Sequence, residues 1–207
     1  MPNPWLSVPL GDYEGHMRSA EVGQLGPLAE LFAEALAWRR PASVAVLGVA
    51  GGNGLECIDR HITKRIVGLD IHPSYLDAVR ERYREVNGLE LHCVDLAEQT
   101  VDGEPVELVH AAVVFEHAGT GRCLDNAVLL VAPGGALSAV LQLPSDCAGG
   151  AAASRFSSIE NVKSHFTLVD PGQFQQTLEA RRFRLVRQTR RALPSGKGFW
   201  MGLFERA

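Results

Sequence analysis

The sequence predicts a three-layer α/β fold, in which a mostly parallel sheet of seven strands is flanked by helices and closed by a C-terminal antiparallel hairpin. Three observations lead there. Short uninterrupted apolar runs alternate with helical patterns, as expected of parallel strands buried on both faces. The first run, Val44 to Leu47, breaks into a loop holding Gly48, Gly51, Gly52 and Gly54. The last two strands, Phe183 to Thr189 and Gly198 to Glu205, are separated by a Pro-Ser-Gly-Lys-Gly turn.

Taken in order, the upstream stretch WLSVPLGDYEGHMRSAEVGQ mixes aromatics, glycines and charges without a clear period, unlike a plain core helix. Pro27 to Trp38 is amphipathic: Leu28, Leu31, Phe32, Ala35 and Leu36 form an apolar stripe, and Pro27 suits a first turn. After the strand at Val44 the glycine loop lets the backbone approach a ligand with no Cβ in the way. A helix beginning near Gly54 or Leu55 would turn its free N–H groups toward that ligand. Arg65 to Asp70 is a second strand ending in an acid, and Leu89 to Val94 a third, followed by Asp95 and Leu96. The fourth, Val106 to Val114, opens onto Phe115, Glu116 and His117, beyond a strand's carboxyl end, where ligands bind in open parallel sheets. Leu124, Val128 and Val131 mark a helical face, Pro133-Gly134-Gly135 breaks it, and Ala136 to Leu143 is the fifth strand. Asp170-Pro171 reads as an N-cap with a first-turn proline, and Phe174 and Leu178 share one face of that helix.

The glycine spacing excludes a dinucleotide fingerprint, since G-x-G-x-x-G fails from every glycine of the loop. The loop instead resembles the first motif of the class I S-adenosylmethionine-dependent methyltransferases, [DE]-x-G-x-G-x-G, aligned on Gly48, Ala50, Gly52 and Gly54. Two positions depart: the acid of the pattern is Gly48 and its first glycine is Ala50. Another group must then serve the methionine end of the cofactor. The resemblance continues through the Pro-Gly-Gly turn to the terminal hairpin, and so covers nearly everything from Ser43 onward. It implies S-adenosylmethionine as cofactor, S-adenosylhomocysteine as product, and a binding site at Gly48, Ala50, Gly52, Asn53 and Gly54, then Asp70 and Ile71, Asp95 and Leu96, and Phe115. In that family the acid at Asp70 takes both ribose hydroxyls, a task suited to a carboxylate with only acceptor lone pairs. An alternative is that Asp70 caps the helix whose first-turn proline is Pro73. Asp95 matches the position that contacts the adenine amino group, with a solvated loop acid as its alternative.

Size and composition set limits. The 207 residues, 46% hydrophobic, can bury a core as one globular domain. Residues 1–40 are expected to form a lid segment and packed helix, and residues 41–207 the cofactor-binding domain. No apolar run is long enough for a membrane span, and the N-terminus lacks a secretory pattern. Cys57, Cys93, Cys123 and Cys147 have no metal-ligand spacing and read as reduced, mostly buried side chains of a cytoplasmic protein. The net charge of −4 argues against nucleic acid as main partner. A local cluster, Arg181, Arg182, Arg184, Arg187, Arg190, Arg191 and Lys197, is read as a solvated edge that discourages strand pairing, with RNA or an anionic substrate as the alternative.

Methyl transfer asks for alignment first, and for a base only when the acceptor must lose a proton. Candidate bases are Glu116, His117 and His16, with His165 beside them; histidine titrates near neutral pH. Tyr13, His16 and Met17 are candidate lid residues, with a surface arm or a homodimer contact as the alternative for this segment. The fourth-strand end reads VVFEH and not an N-P-P-Y type, which argues against amide or exocyclic amino acceptors. Gln142-Leu143-Pro144 follows the fifth strand where metal-dependent catechol-type relatives have Asp-Asn, so no catalytic metal is implied. The expected function is S-adenosylmethionine-dependent methyl transfer to a small molecule. The rivals are a protein that binds the cofactor without transferring, and a nucleotide-dependent enzyme of ordinary Rossmann type.

Overall fold

The computed structural model describes residues 3–144, 155–193 and 196–207. Cys147, and Pro194 and Ser195 of the expected hairpin turn, lie outside the described residues. The seven strands are β1 (Ser43–Leu47), β2 (Arg65–Asp70), β3 (Leu89–Cys93), β4 (Val106–Ala112), β5 (Val131–Leu143), β6 (Phe183–Ala192) and β7 (Gly198–Arg206). Their order in the sheet is β3-β2-β1-β4-β5-β7-β6. The pairings β1 with β2, β1 with β4, β2 with β3 and β4 with β5 are parallel, whereas β7 runs antiparallel to both β5 and β6.

Alternating strand residues build two separate cores. Val44, Val46, Ile66, Leu108 and Val140 face helices α2 (Leu25–Arg39) and α3 (Pro73–Arg82). Ala45, Leu47, Val67, Val109 and Leu137 face α5 (Arg122–Leu130), which follows the single-turn α4 (Phe115–Ala118), and α7 (Pro171–Glu179). The stripe Leu28, Leu31, Phe32, Ala35 and Leu36 is buried, as its period requires. Asp170 caps α7 by accepting the Gln173 N–H at 2.8 Å.

Four departures from the sequence reading bear on function. The helix expected at Gly54 or Leu55 is a single 3-10 turn, Leu55–Cys57. Asp59 explains the stop: its carboxylate accepts the His61 N–H at 2.8 Å, a local bond that competes with continued helix. Strand β4 ends at Ala112, because Val113 lies at φ 55, a left-handed conformation costly for a β-branched residue. Strand β5 begins at Val131, with Pro133-Gly134-Gly135 inside it. The N-terminal stretch is ordered as a 3-10 turn, Pro4–Ser7, followed by α1 (Leu10–Arg18). Of the described cysteines Cys123 is buried, but Cys57 and Cys93 are exposed, against the expectation of mostly buried thiols.

A third, small cluster closes the carboxyl edge of the sheet. Val8 packs with Ile159 and Val162 of α6 (Ser157–Lys163), together with Trp5, Tyr13 and Phe156. Ser158 donates to the Asp12 carboxylate at 2.6 Å, joining α6 to α1. The Glu14 carboxylate pairs with Arg82 of α3, which also donates to the carbonyl of Gly51 at 2.8 Å. The N-terminal segment is thereby tied to the glycine loop.

Candidate functional site

Beyond the carboxyl ends of β1 to β5 lies one cavity of about 240 Å³. Gly48 and Ala50 come from the loop after β1, Asp70 and Ile71 from β2, and Asp95 and Leu96 from β3. Val113, Val114 and His117 follow β4, and Gln142 lies near the end of β5. Trp5, Tyr13, His16 and Met17 cover it from the N-terminal segment, and Ile159, Val162, Lys163 and Phe166 from α6 and beyond.

Asp70 is 7% exposed and has a neighbour on each oxygen. Oδ2 accepts the Ala50 N–H at 2.8 Å, and Oδ1 accepts the His72 N–H at 2.9 Å. The second bond is a local turn, and the cap position of α3 belongs to His72. The first bond crosses from β2 to the glycine loop and holds Ala50 at φ 47, where a glycine would be unstrained. Burial raises the Asp70 carboxyl above its usual range, although the two N–H groups oppose the shift. Next along the edge, Asp95 accepts the Ala97 N–H at 3.0 Å on one oxygen and the Asn3 side-chain amide at 3.4 Å on the other. Tyr75 donates to the Val8 carbonyl at 2.9 Å, and its ring stacks on His72 with centroids 4.2 Å apart. Tyr13, between Trp5 and Tyr75, has its phenol pushed up by burial and by the charge of Asp70.

The candidate bases separate. His117 lies in the cavity wall between Trp5 and Phe166, at ring distances of 4.8 and 5.1 Å. Burial, helped by His165, lowers its pKa to about 4, so the ring is neutral at physiological pH. Its Nδ1 is buried with no hydrogen-bond partner among the described residues. Glu116 is 1% exposed and lies behind the cavity wall. Its Oε1 accepts the Gln142 N–H at 2.7 Å, Oε2 is unpartnered among the described residues, and burial raises its pKa to about 7. His16 is half-buried in the wall, its pKa lowered by burial and then by Lys163 and Lys197. His165 is exposed on the surface outside the cavity.

Of the loop residues, Gly52 and Asn53 face away, onto a polar depression with Glu14, Arg82 and Tyr83. Asn53 donates to the Leu25 carbonyl at 3.0 Å. Gly54 lies under α2, where an added Cβ would stand 3.0 Å from the Phe32 ring. Phe115 is core, packed on Phe174 with centroids 5.0 Å apart. The loop thus contributes Gly48 and Ala50 to the cavity, and its later members serve packing. Gly48 has φ +66 and a Cβ position 3.2 Å from Val114 Cγ2, so a side chain there would be both strained and crowded.

Trp5, Asn3, Tyr75, Gln24, Gln142, Lys163 and Phe166 also line the cavity without a site reading from the sequence, and Lys197 of the basic cluster lines it too. Gln24 donates to Gln142 across the wall at 3.2 Å. Among the described residues no group of three or more His, Cys, Asp or Glu could hold a metal ion, and no helix is long and apolar enough to cross a membrane.

Residues 44–135 match the family model described as "Methyltransferase domain". The chain superimposes on the N-methyltransferase NodS from Bradyrhizobium japonicum WM9, solved with S-adenosyl-l-homocysteine, with a TM-score of 0.67 and 15% identity over 88% of this chain and 87% of that one. Magnesium protoporphyrin IX methyltransferase from Synechocystis PCC 6803, also solved with S-adenosylhomocysteine, gives 0.67 and 13% over 94% and 87%. The [4+2]-cyclase SpnF gives 0.65 and 11% over 84% and 79%. At these identities the likeness is one of fold. No curated protein matches the chain.

Proposed function

We propose, on the premise that this chain carries a Rossmann-like methyltransferase domain, that it binds S-adenosylmethionine and transfers the methyl group to a small-molecule acceptor, releasing S-adenosylhomocysteine. The observation that carries this reading is Asp70, a buried carboxylate at the end of β2 whose oxygens each accept one backbone N–H. Each oxygen keeps a lone pair for a ribose hydroxyl, and the two N–H groups hold the carboxylate in register for both. Asp95 and Leu96 then fall to the adenine, and Gly48, Ala50 and Val113 to the methionine side.

The bound cofactor supplies a methyl group already activated on a sulfonium. The protein's share is therefore alignment and exclusion of water. Trp5, Tyr13 and Met17, with Ile159 and Val162 packed beside Trp5 and Tyr13 and with Phe166, line the reacting volume with apolar surface. We assign the N-terminal segment the lid, because its own hydrogen bonds run to the cavity's acid and to α6. His117 presents its neutral imidazole in the cavity wall, where it can orient the acceptor. With a pKa of about 4 it orients better than it removes protons. His16, another of the imidazoles that line the cavity, is the candidate base. Glu116 acts at one remove, positioning Gln142 through its main-chain N–H.

The test is release of S-adenosylhomocysteine from the purified protein with S-adenosylmethionine and a panel of small phenols, amines and carboxylic acids. Turnover with at least one acceptor, reduced in His117→Ala, is the expected result. Cofactor binding without product from any acceptor would assign the fold a binding role without transfer.

A further inference from the structure

The formal charges around the cavity are sorted by position. Its two acids, Asp70 and Asp95, follow β2 and β3 at one flank of the sheet. Lys197, directly preceding β7, stands at the other, and Lys163, which closes α6 and also lines the cavity, is near enough for its charge to act on Lys197. Gly198 pairs with Leu143, which puts Lys197 at the carboxyl end of β5. Four strand intervals separate β2 from β7, roughly 19 Å at about 4.8 Å per interval. The wall between is mainly apolar, with Met17, Leu28, Val113 and Phe166 among its residues.

We infer that the acceptor is a small apolar molecule carrying a carboxylate, and that this carboxylate docks on Lys197 and Lys163 at the end of the cavity opposite Asp70. The inference rests on the cofactor reading above and names the substrate class for that same site. Glu160, outside the cavity wall, lies 2.6 Å from Lys163 and offsets its charge. No acid stands within ion-pair distance of Lys197 among the described residues. Lys197 is half-buried, and both burial and the charge of Lys163 work against its ammonium form. His16 feels the same two lysines, with Glu160 opposing them. A cation held in a partly desolvated apolar pocket is costly until an anion meets it, so the pocket favours an anionic guest over its neutral isostere. The cofactor's own carboxylate is the other anion available. With the ribose held at β2, Gly48, Ala50 and Val113 after β1 and β4 would hold the methionine side, and β7 is two strand intervals beyond β4.

The experiment titrates the protein, saturated with S-adenosylhomocysteine, with 4-hydroxybenzoate, 3-phenylpropionate and hexanoate, each beside its amide. The expected result is that at least one acid binds about tenfold or more tightly than its amide. Lys197→Met erases that preference, Lys197→Arg keeps it, and both leave affinity for S-adenosylhomocysteine within about twofold. Lys163→Met, on a different element, gives an independent arm and weakens the acid alone. Melting curves identify any variant that has lost its fold. Binding of S-adenosylhomocysteine with no acid preferred over its amide overturns the inference. So does a Lys197→Met variant that loses affinity for S-adenosylhomocysteine itself, since the lysine would then serve the cofactor's carboxylate. Failure of the wild type to bind S-adenosylhomocysteine removes the underlying reading and this one together.

Discussion

Replacing Asp70 by asparagine should separate cofactor binding from stability. The carboxylate accepts the Ala50 N–H at 2.8 Å and the His72 N–H at 2.9 Å, and an amide retains only one oxygen. One backbone donor then faces an NH2 group, a loss of about 1–3 kcal/mol. Against this, burial already disfavours the charge, so its removal returns part of that loss. The net change in folding stability should stay within about 2 kcal/mol, a melting shift of less than about 8 °C for a chain of this size. Cofactor affinity should fall much further. Two ribose hydroxyls lose a charged acceptor, and one meets a donor instead, which together should cost about 2–3 kcal/mol, or about 30- to 150-fold. Calorimetric titration with S-adenosylhomocysteine reads the affinity, and a thermal melt reads the fold. A folded Asp70→Asn protein whose affinity stays within about threefold of wild type would refute the assignment of the ribose to β2.

Three further outcomes follow from the geometry. Ala50→Gly relieves a left-handed φ of 47 and should raise stability by about 1 kcal/mol, seen as a melting temperature about 2–4 °C higher; an unchanged or lower value would mean that Ala50 carries no strain. Burial pushes Glu116 up to about 7 in the fold from the ordinary glutamate value of 4.5, so the stability it contributes is full below about pH 4.5 and is lost as pH rises through 7, on the order of 3 kcal/mol at most. Glu116→Gln keeps an acceptor for the Gln142 N–H and should flatten the fall in unfolding free energy between pH 5 and pH 8 in urea titrations, whereas an equal fall in both proteins would place the titration elsewhere. Glu14→Gln breaks a partly exposed ion pair to Arg82 worth at most about 1 kcal/mol. Its effect should be local: faster amide exchange over Leu10–Arg18 with nearly unchanged global stability, against which stands a variant whose exchange there matches wild type.

The sheet was legible because buried parallel strands show as apolar runs, and Asp70 because it ends one of them. Helix α2 was legible from its stripe. The limits of the sequence appear at the glycine loop. The resemblance places Asn53 and Gly54 among the cofactor contacts, and a helix is expected to start there. Asp59 captures the His61 N–H and leaves one 3-10 turn, which gives Gly54 a packing role under Phe32. Lys197 was visible only as one charge among seven basic residues. Three of the others are held by acids: Arg181 by Asp125, Arg184 by Glu205 and Arg191 by Glu34, at 2.6, 3.0 and 2.6 Å. Only the pairing of β5 with β7 brings Lys197 to the cavity, a long-range contact that no local pattern reports. Tyr13, His16 and Met17 were open to a lid reading from the sequence, but Trp5 was not, since its place beside Tyr13 and α6 comes from tertiary packing and not from a local period.

The most direct test of the central claim is calorimetric titration of the purified, ligand-free protein with S-adenosylmethionine, S-adenosylhomocysteine and a nicotinamide dinucleotide. Micromolar binding of the adenosyl pair, with no heat from the dinucleotide, is the predicted result. A folded protein that binds neither adenosyl compound, or that prefers the dinucleotide, would contradict it.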